Sequence, residues 1–446
     1  MTAHNGEFNT LLGNRNWMSA REPELDSPVW DDAVQDLSPV IQPIGSDTAS
    51  FDEALELLVL SGRDLMHSVM MLIPQAWENM PNLDANLRAF YEYHACLTEP
   101  WDGPAAIAVT NGVQVAATMD RNGLRPARYQ VTRDGLVLMG SEVGLVELDP
   151  ADIVEAGRLG PGEMIAVDTS RRQFLHNAEI KHEVANRRPY GDWVRRNIMS
   201  LRTDSNNGYH SGALEYDVRT LQQIHGYTHE ELEYIVKPMA EDGKEAVGAM
   251  GDDTPLSVLQ DEPRVLYTYF KQKFAQVTNP AIDSVREEIV MSLDTYLGRR
   301  RSLLESVPEA ARLLHLTSPL VDDAELAALR RTQNEDIRVA TLHARFRVDA
   351  GPNGLETAVD DLCAAAVMAA DEGHTVLVIS DRLVDPEWAP IPMLLAVSAV
   401  HHHLIRTGRR MKTSLVAETG DARDVHHFAS LIGFGASAIN PYLAFA

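Results

Sequence analysis

The sequence predicts an α+β region followed by an α/β region, on three observations. Between Pro104 and Arg172, short β-rich runs (AAIAVTN, VQVAATM, YQVTR, LVLMGSE, EMIAVDT) are punctuated by Gly, Asp and Asn. Upstream of them, residues 51–72 repeat apolar side chains at a helical period. Beyond residue 340, strand-like and helix-like segments alternate, the pattern of a parallel sheet with crossover helices.

Taken in order, the chain opens on Met1-Thr2-Ala3 and runs at once into polar residues of turn character, His4-Asn5-Gly6-Glu7. A domain normally begins in a weakly patterned solvated segment, so the start reads as if the chain had been cut into. FDEALELLVLSGRDLMHSVMML (51–72) predicts a helix with Asp47 and Ser50 as caps, and a second helix is expected over 82–96. The β-rich runs predict an antiparallel meander with turns at Asn111-Gly112, Asn122-Gly123 and Asp134-Gly135, because these residues tolerate positive φ. Residues 180–255 read as charged and mostly helical, with a Gly/Asn-rich loop or linker at 204–212. Helical segments dominate from about 253. TLHARFRV, TVLVISD and TSLVAET then read as strands, with helices over 354–372, 390–407 and 421–434. The chain stops just after a βα unit, so both ends read as severed.

Composition excludes several classes of function. There are 65 acidic against 39 basic residues, formally -26, so no basic footprint exists for nucleic acid or an anionic membrane. Two cysteines, Cys96 and Cys363, cannot form a disulfide framework, a four-cysteine zinc site or a cysteine-ligated iron–sulfur cluster. With no basic leader and no apolar run of spanning length, the expected location is cytoplasmic.

Asn5-Gly6 places a side-chain amide donor beside a glycine N–H, the two donors an oxyanion hole requires, although the pair alone is more often a turn. The longer string AHNGEFNTLLGNRNWM resembles the oxyanion-hole segment of class II glutamine amidotransferases, specifically that of the glutamate synthase large subunit. Ser46-Asp47-Thr48-Ala49-Ser50-Phe51-Asp52 resembles the family's Ser-Asp segment. By that resemblance Asp47 binds the α-amino group of glutamine through a charge-assisted contact. Taken by itself, Asp47 reads as a helix N-cap. IPQAWENMPNL, YEYHACLTEPWDGPAAI and MDRNGLRPARYQVTRDG resemble the rest of the same glutaminase domain. FKQKFAQVTNPAIDSVREEIVMSL and the stretch from Ala399 to Ala444 resemble the family's central domain.

The resemblance implies an N-terminal-nucleophile αββα glutaminase remainder over 1–195, a helical connection over 196–252, and an incomplete barrel-like α/β central domain over 253–446. The implied activity belongs to glutamate synthase: glutamine is hydrolysed, and the ammonia is transferred to 2-oxoglutarate and reduced to give two glutamates. Asn5 and Gly6 would stabilise the oxyanion, and Asp47 would hold L-glutamine. No residue here matches the family's N-terminal cysteine nucleophile or its carboxylate-binding arginine. FMN and iron–sulfur ligands are expected in none of these residues, and neither is a metal. The chain alone is therefore expected to be inactive. The alternative is a non-catalytic remnant, or a polypeptide that completes the fold of a separately encoded piece. Expected partners are L-glutamine and the other glutamate synthase segments or the small subunit.

Other candidates read as structural. Thr2, if exposed by methionine removal, sits within the segment leading to Asn5 and is a poor nucleophile candidate. Cys96 reads as a small buried hydrophobe. Helical His401-His402-His403 point about 100° apart and cannot share one ion, and His426-His427 has the same weakness. Asp252-Asp253 reads as a cap or exposed loop. GFGASA (433–438) lacks the P-loop lysine and the dinucleotide spacing.

Overall fold

Strand β1 (Thr2–Gly6) forms one edge of a five-stranded antiparallel sheet with β2 (Ala105–Thr110), β3 (Gln114–Met119), β7 (Met164–Asp168) and β8 (Gln173–Leu175), in the order β1-β2-β3-β7-β8. This computed structural model describes residues 1–201, 214, 216–246, 255–261, 263–270, 282–332 and 334–446. They fall into two compact units. The first comprises Met1–Ile198, the described residues of 274–292, and Arg301–Ala311; the second takes the remainder. The 204–212 segment and Asp252-Asp253 lie outside the described residues.

The opening is thus a strand rather than a turn, with His4 in register opposite Ile107 and Gly6 opposite Ala105. Its residues are mostly polar, so period-two reading alone misses it. The expected single meander is also corrected. Strands β4 (Arg128–Thr132), β5 (Val137–Gly140) and β6 (Ile153–Arg158) leave the first sheet and make a second, ordered β5-β4-β6. The sheets meet through Ala117, Met119 and Ile165 on one side and Ala127, Leu159, Tyr129 and Met139 on the other. Local alternation marks which residues face inward but does not specify the partner strand.

The helix expected over 51–72 is two helices, α2 (Asp47–Leu60) and α3 (Leu65–Leu72), and neither expected cap is the one used. Ser46 caps α2 by accepting from the Ala49 N–H, and Asp64 caps α3 by accepting from the His67 N–H. Gly62, at φ 91°, turns the chain between them. Helix α1 (Leu11–Arg21) precedes this pair; α4 (Ala85–Ala95), α5 (Asn177–Ala185) and α6 (Tyr190–Asn197) follow. Helix α2 packs on β1, and α5 packs on β7.

The second unit centres on four parallel strands in sequential order: β12 (Val339–His343), β14 (Val376–Ser380), β16 (Ser414–Glu418) and β17 (Ala438–Asn440). Helices Gly351–Asp371, Met393–Arg406 and Val425–Gly433 connect them. Leu377, Ile379, Leu415, Ala417 and Ile439 enter one core, while Val376, Val378, Val416 and Ala438 enter another. Burial on both faces is why these strands read as unbroken apolar runs. The second core also holds helix Asp323–Arg331 and a small sheet of β9 (Met199–Ser200), β10 (Thr295–Leu297) and β11 (Leu314–Leu316). The run 341–348 does not stay one strand, because β13 (Arg345–Arg347) splits off to pair with β15 (Trp388–Pro390). Strand β17 was not anticipated.

Candidate functional site

Phe8 anchors the end of β1. It stacks on Phe51 of α2 at 5.0 Å, and both rings meet Trp101 edge-on at 5.7 and 5.5 Å. This aromatic contact fixes the first turn of α2 against the strand. Asp47 opens that turn, and β1 holds it from both sides of Asn5-Gly6. Its Oδ2 accepts the Phe8 N–H at 3.2 Å and lies 3.3 Å from His4 Nε2. Its Oδ1 accepts the Thr48 N–H at 2.8 Å. Burial pushes this carboxyl up, but the Phe8 and Thr48 amides and His4 outweigh it, so the net shift is below the ordinary aspartate value. Asp47 is ionised, partly exposed, and is not the helix cap.

Arg15 fixes the loop before Asp47. Its Nε donates to Ser50 Oγ at 2.9 Å and its Nη2 to the Gly45 carbonyl at 2.7 Å. The role of Arg15 within GNRNW is invisible in the sequence, because no local pattern reveals a contact made across 30 residues. His4 was missed for the same reason.

Strand alternation puts Thr2 and His4 on the face toward α2 and Asn5 on the opposite face, where it is exposed. Gly6 has φ 136°, and a Cβ there would lie 1.8 Å from the Pro104 carbonyl oxygen. Reciprocally, Gly103 has φ 158°, and its Cβ would lie 1.9 Å from the Glu7 carbonyl oxygen. Only glycine lets the two backbones approach this closely. Thr2 Oγ1 is engaged, donating to Asp52 Oδ1 at 2.7 Å. The structure thus brings Asp47 against the strand that carries Asn5 and Gly6, through His4 and Phe8, while the Asn5 side chain lies on the other face of the strand, toward solvent.

The strings containing these residues run on through the whole chain, and known proteins match them along its length. Residues 1–193 match the model for class II glutamine amidotransferases, and residues 220–446 match the model for the glutamate synthase central domain. The chain belongs to the glutamate synthase large-chain family. It is 47% identical over its whole length to ferredoxin-dependent glutamate synthase 2 of Synechocystis sp.. It is 41% identical, over 99% of its length, to the large chain of the NADPH glutamate synthase of Bacillus subtilis. It is 44% identical, over its full length, to the corresponding chain of Azospirillum brasilense. The chain spans 29% of the length of each of those three relatives.

The remaining candidates among the described residues sit in packed or hydrogen-bonded surroundings. Cys96 and Cys363 are both buried and neither is in a disulfide; the Cys96 thiol donates to the Glu92 carbonyl at 3.4 Å. His401 Nδ1 accepts from Arg410 Nε at 2.8 Å, and His427 stacks on Tyr267 at 4.2 Å. Among the described residues, no group of three or more His, Cys, Asp or Glu is placed to hold a metal, and no helix is long and apolar enough to cross a membrane. At the carboxyl ends of the parallel strands, Glu418 accepts from Arg330 and Arg382, and Asp323 accepts from Arg382 and Asn440. Parallel sheets often bind ligands at this end, but here carboxylates saturate these two arginines.

Proposed function

We propose that this chain serves glutamate synthesis by supplying two parts of a glutamine-hydrolysing site. The Asn5 side-chain amide and the Gly6 N–H stabilise the tetrahedral oxyanion, and the Asp47 carboxylate holds the substrate's ammonium. The observation that carries this reading is the placement of an ionised, partly exposed Asp47 by His4 and the Phe8 N–H, which flank the Asn5-Gly6 pair. A preorganised oxyanion hole needs fixed donors, and the Gly6–Pro104 approach fixes this backbone.

In this reading the attacking thiolate comes from outside residues 1–446, because Cys96 and Cys363 are buried. A class II amidotransferase uses a cysteine whose own α-amino group is the base. Transfer of the ammonia to 2-oxoglutarate and its reduction, with FMN and an iron–sulfur cluster, also belong to segments outside these residues. The purified chain should bind L-glutamine weakly and release no ammonia from it. Titration calorimetry with L-glutamine and an ammonia assay test both halves. Turnover at the rate of an intact amidotransferase would contradict the external nucleophile, and equal binding by the chain and by Asp47→Asn would remove Asp47 from the site.

A further inference from the structure

A cavity of about 510 Å³ lies in the first unit, lined by the α2–α3 turn, by residues 187–190 and by residues 304–307. Three arginines line it, Arg63, Arg187 and Arg188, against two carboxylates, Asp64 and Glu305. This is a cationic lining in a chain of formal charge -26. Arg187 is neutralised, at 2.9 Å from Asp64 and 2.9 Å from Glu183.

Arg63 is not. Its Nη1 donates to Ser306 Oγ at 3.0 Å and its Nη2 to the Leu303 carbonyl at 2.8 Å, both neutral acceptors. Its Nε is buried without a partner. Nη1 also lies 3.1 Å from His67 Nε2, but that nitrogen has no lone pair to offer. His94 Nδ1 is 2.6 Å from the Phe90 carbonyl, which can only accept, so the His94 proton is assigned to Nδ1. His94 Nε2 is then an acceptor, and His67 Nε2, 2.7 Å away, must be its donor. Burial holds both imidazoles neutral, His67 far below its ordinary value and His94 down to about 3. A second orphan faces the same charges. The Tyr190 hydroxyl is buried without a partner on a residue only 1% exposed, and it lies in the field of Arg63, Arg188 and Arg187.

A half-buried guanidinium with a buried, unpartnered Nε and only neutral acceptors is costly, and its fork matches a carboxylate or a phosphate. We propose that this cavity is a binding site for a small oxyanion, held by Arg63 and Arg188 and receiving a hydrogen bond from the Tyr190 hydroxyl. The site is independent of the glutamine reading.

The test titrates the full 446-residue chain with inorganic phosphate and, separately, with succinate, each against sodium chloride at matched ionic strength. Saturable one-site binding of at least one probe is expected, weakened about tenfold by Arg188→Gln and more by Arg63→Met. Tyr190→Phe should weaken it by a smaller factor. Binding of succinate alone identifies a carboxylate ligand, binding of phosphate alone a phosphate, and binding of both a general oxyanion site. No saturable binding of either probe overturns the proposal, as does an affinity unchanged in Arg188→Gln. Arg188 is exposed, so that variant decides the matter even where Arg63→Met fails to fold.

Discussion

At Asp47 two effects oppose each other: partial burial disfavours the carboxylate, while two backbone amides and His4 favour it and win. Asp47→Asn keeps an oxygen for the Phe8 N–H but loses the charge, so glutamine affinity should fall at least tenfold on the proposed role, with stability changing by about 1 kcal/mol or less. Lys181 presents the opposite case. Its Nζ is buried, donating to the Gly162 carbonyl at 2.7 Å and to Gln75 Oε1, and burial lowers its pKa from 10.5 to about 8. A depressed base binds fewer protons folded than unfolded, so stability rises with pH between about 8 and 10.5. Denaturant unfolding at pH 7.5 and 9.5 should show that rise, and Lys181→Met should abolish it. An equal rise in the variant would assign the effect to other groups. Neither residue's state was legible in the sequence, since burial comes from distant elements.

At the scale of elements, the sequence identified the α2–α3 helical period but not its break. Apolar spacing continues smoothly through Leu60 and Leu65, whereas Gly62 and the Asp64 cap end one helix and begin another. The break matters because it delivers Arg63 to the cavity. Ser46→Ala should cost about 1 kcal/mol as a lost cap. Asp64→Ala should cost more, because Arg187 also loses one of its two carboxylate partners; thermal unfolding of the two variants checks the order. Phe8→Ala removes the ring that joins β1 to α2 and should cost about 3–5 kcal/mol. The parallel strands of the second unit were legible for a physical reason: burial on both faces leaves no polar position to interrupt the run. β1 was not, because only one of its faces packs and its residues are polar.

For the whole molecule, the acidic excess is the dominant long-range property. A formal charge of -26 repels itself in the folded chain. Raising sodium chloride from about 20 to about 200 mM shortens the screening length severalfold, so the melting temperature should rise; a scan that falls with salt would show that attractive pairs dominate instead. Lineage was the most legible feature, because it rests on strings spread over the entire chain. The cationic cavity was the least, since Arg63, Arg188 and Ser306 are far apart in sequence and ordinary in their surroundings. The facing pair Gly6 and Gly103 bears on how such a chain can diversify. At each, the methyl group that any other residue would add falls on a main-chain carbonyl oxygen of the opposite segment, Pro104 for Gly6 and Glu7 for Gly103. No second substitution can make room by trimming a side chain. In a saturation library both positions should therefore recover glycine alone, with no epistatic escape, whereas Gly135, open to space, should admit Asn. The two-residue lock confines evolutionary drift around the site to everything except its backbone path.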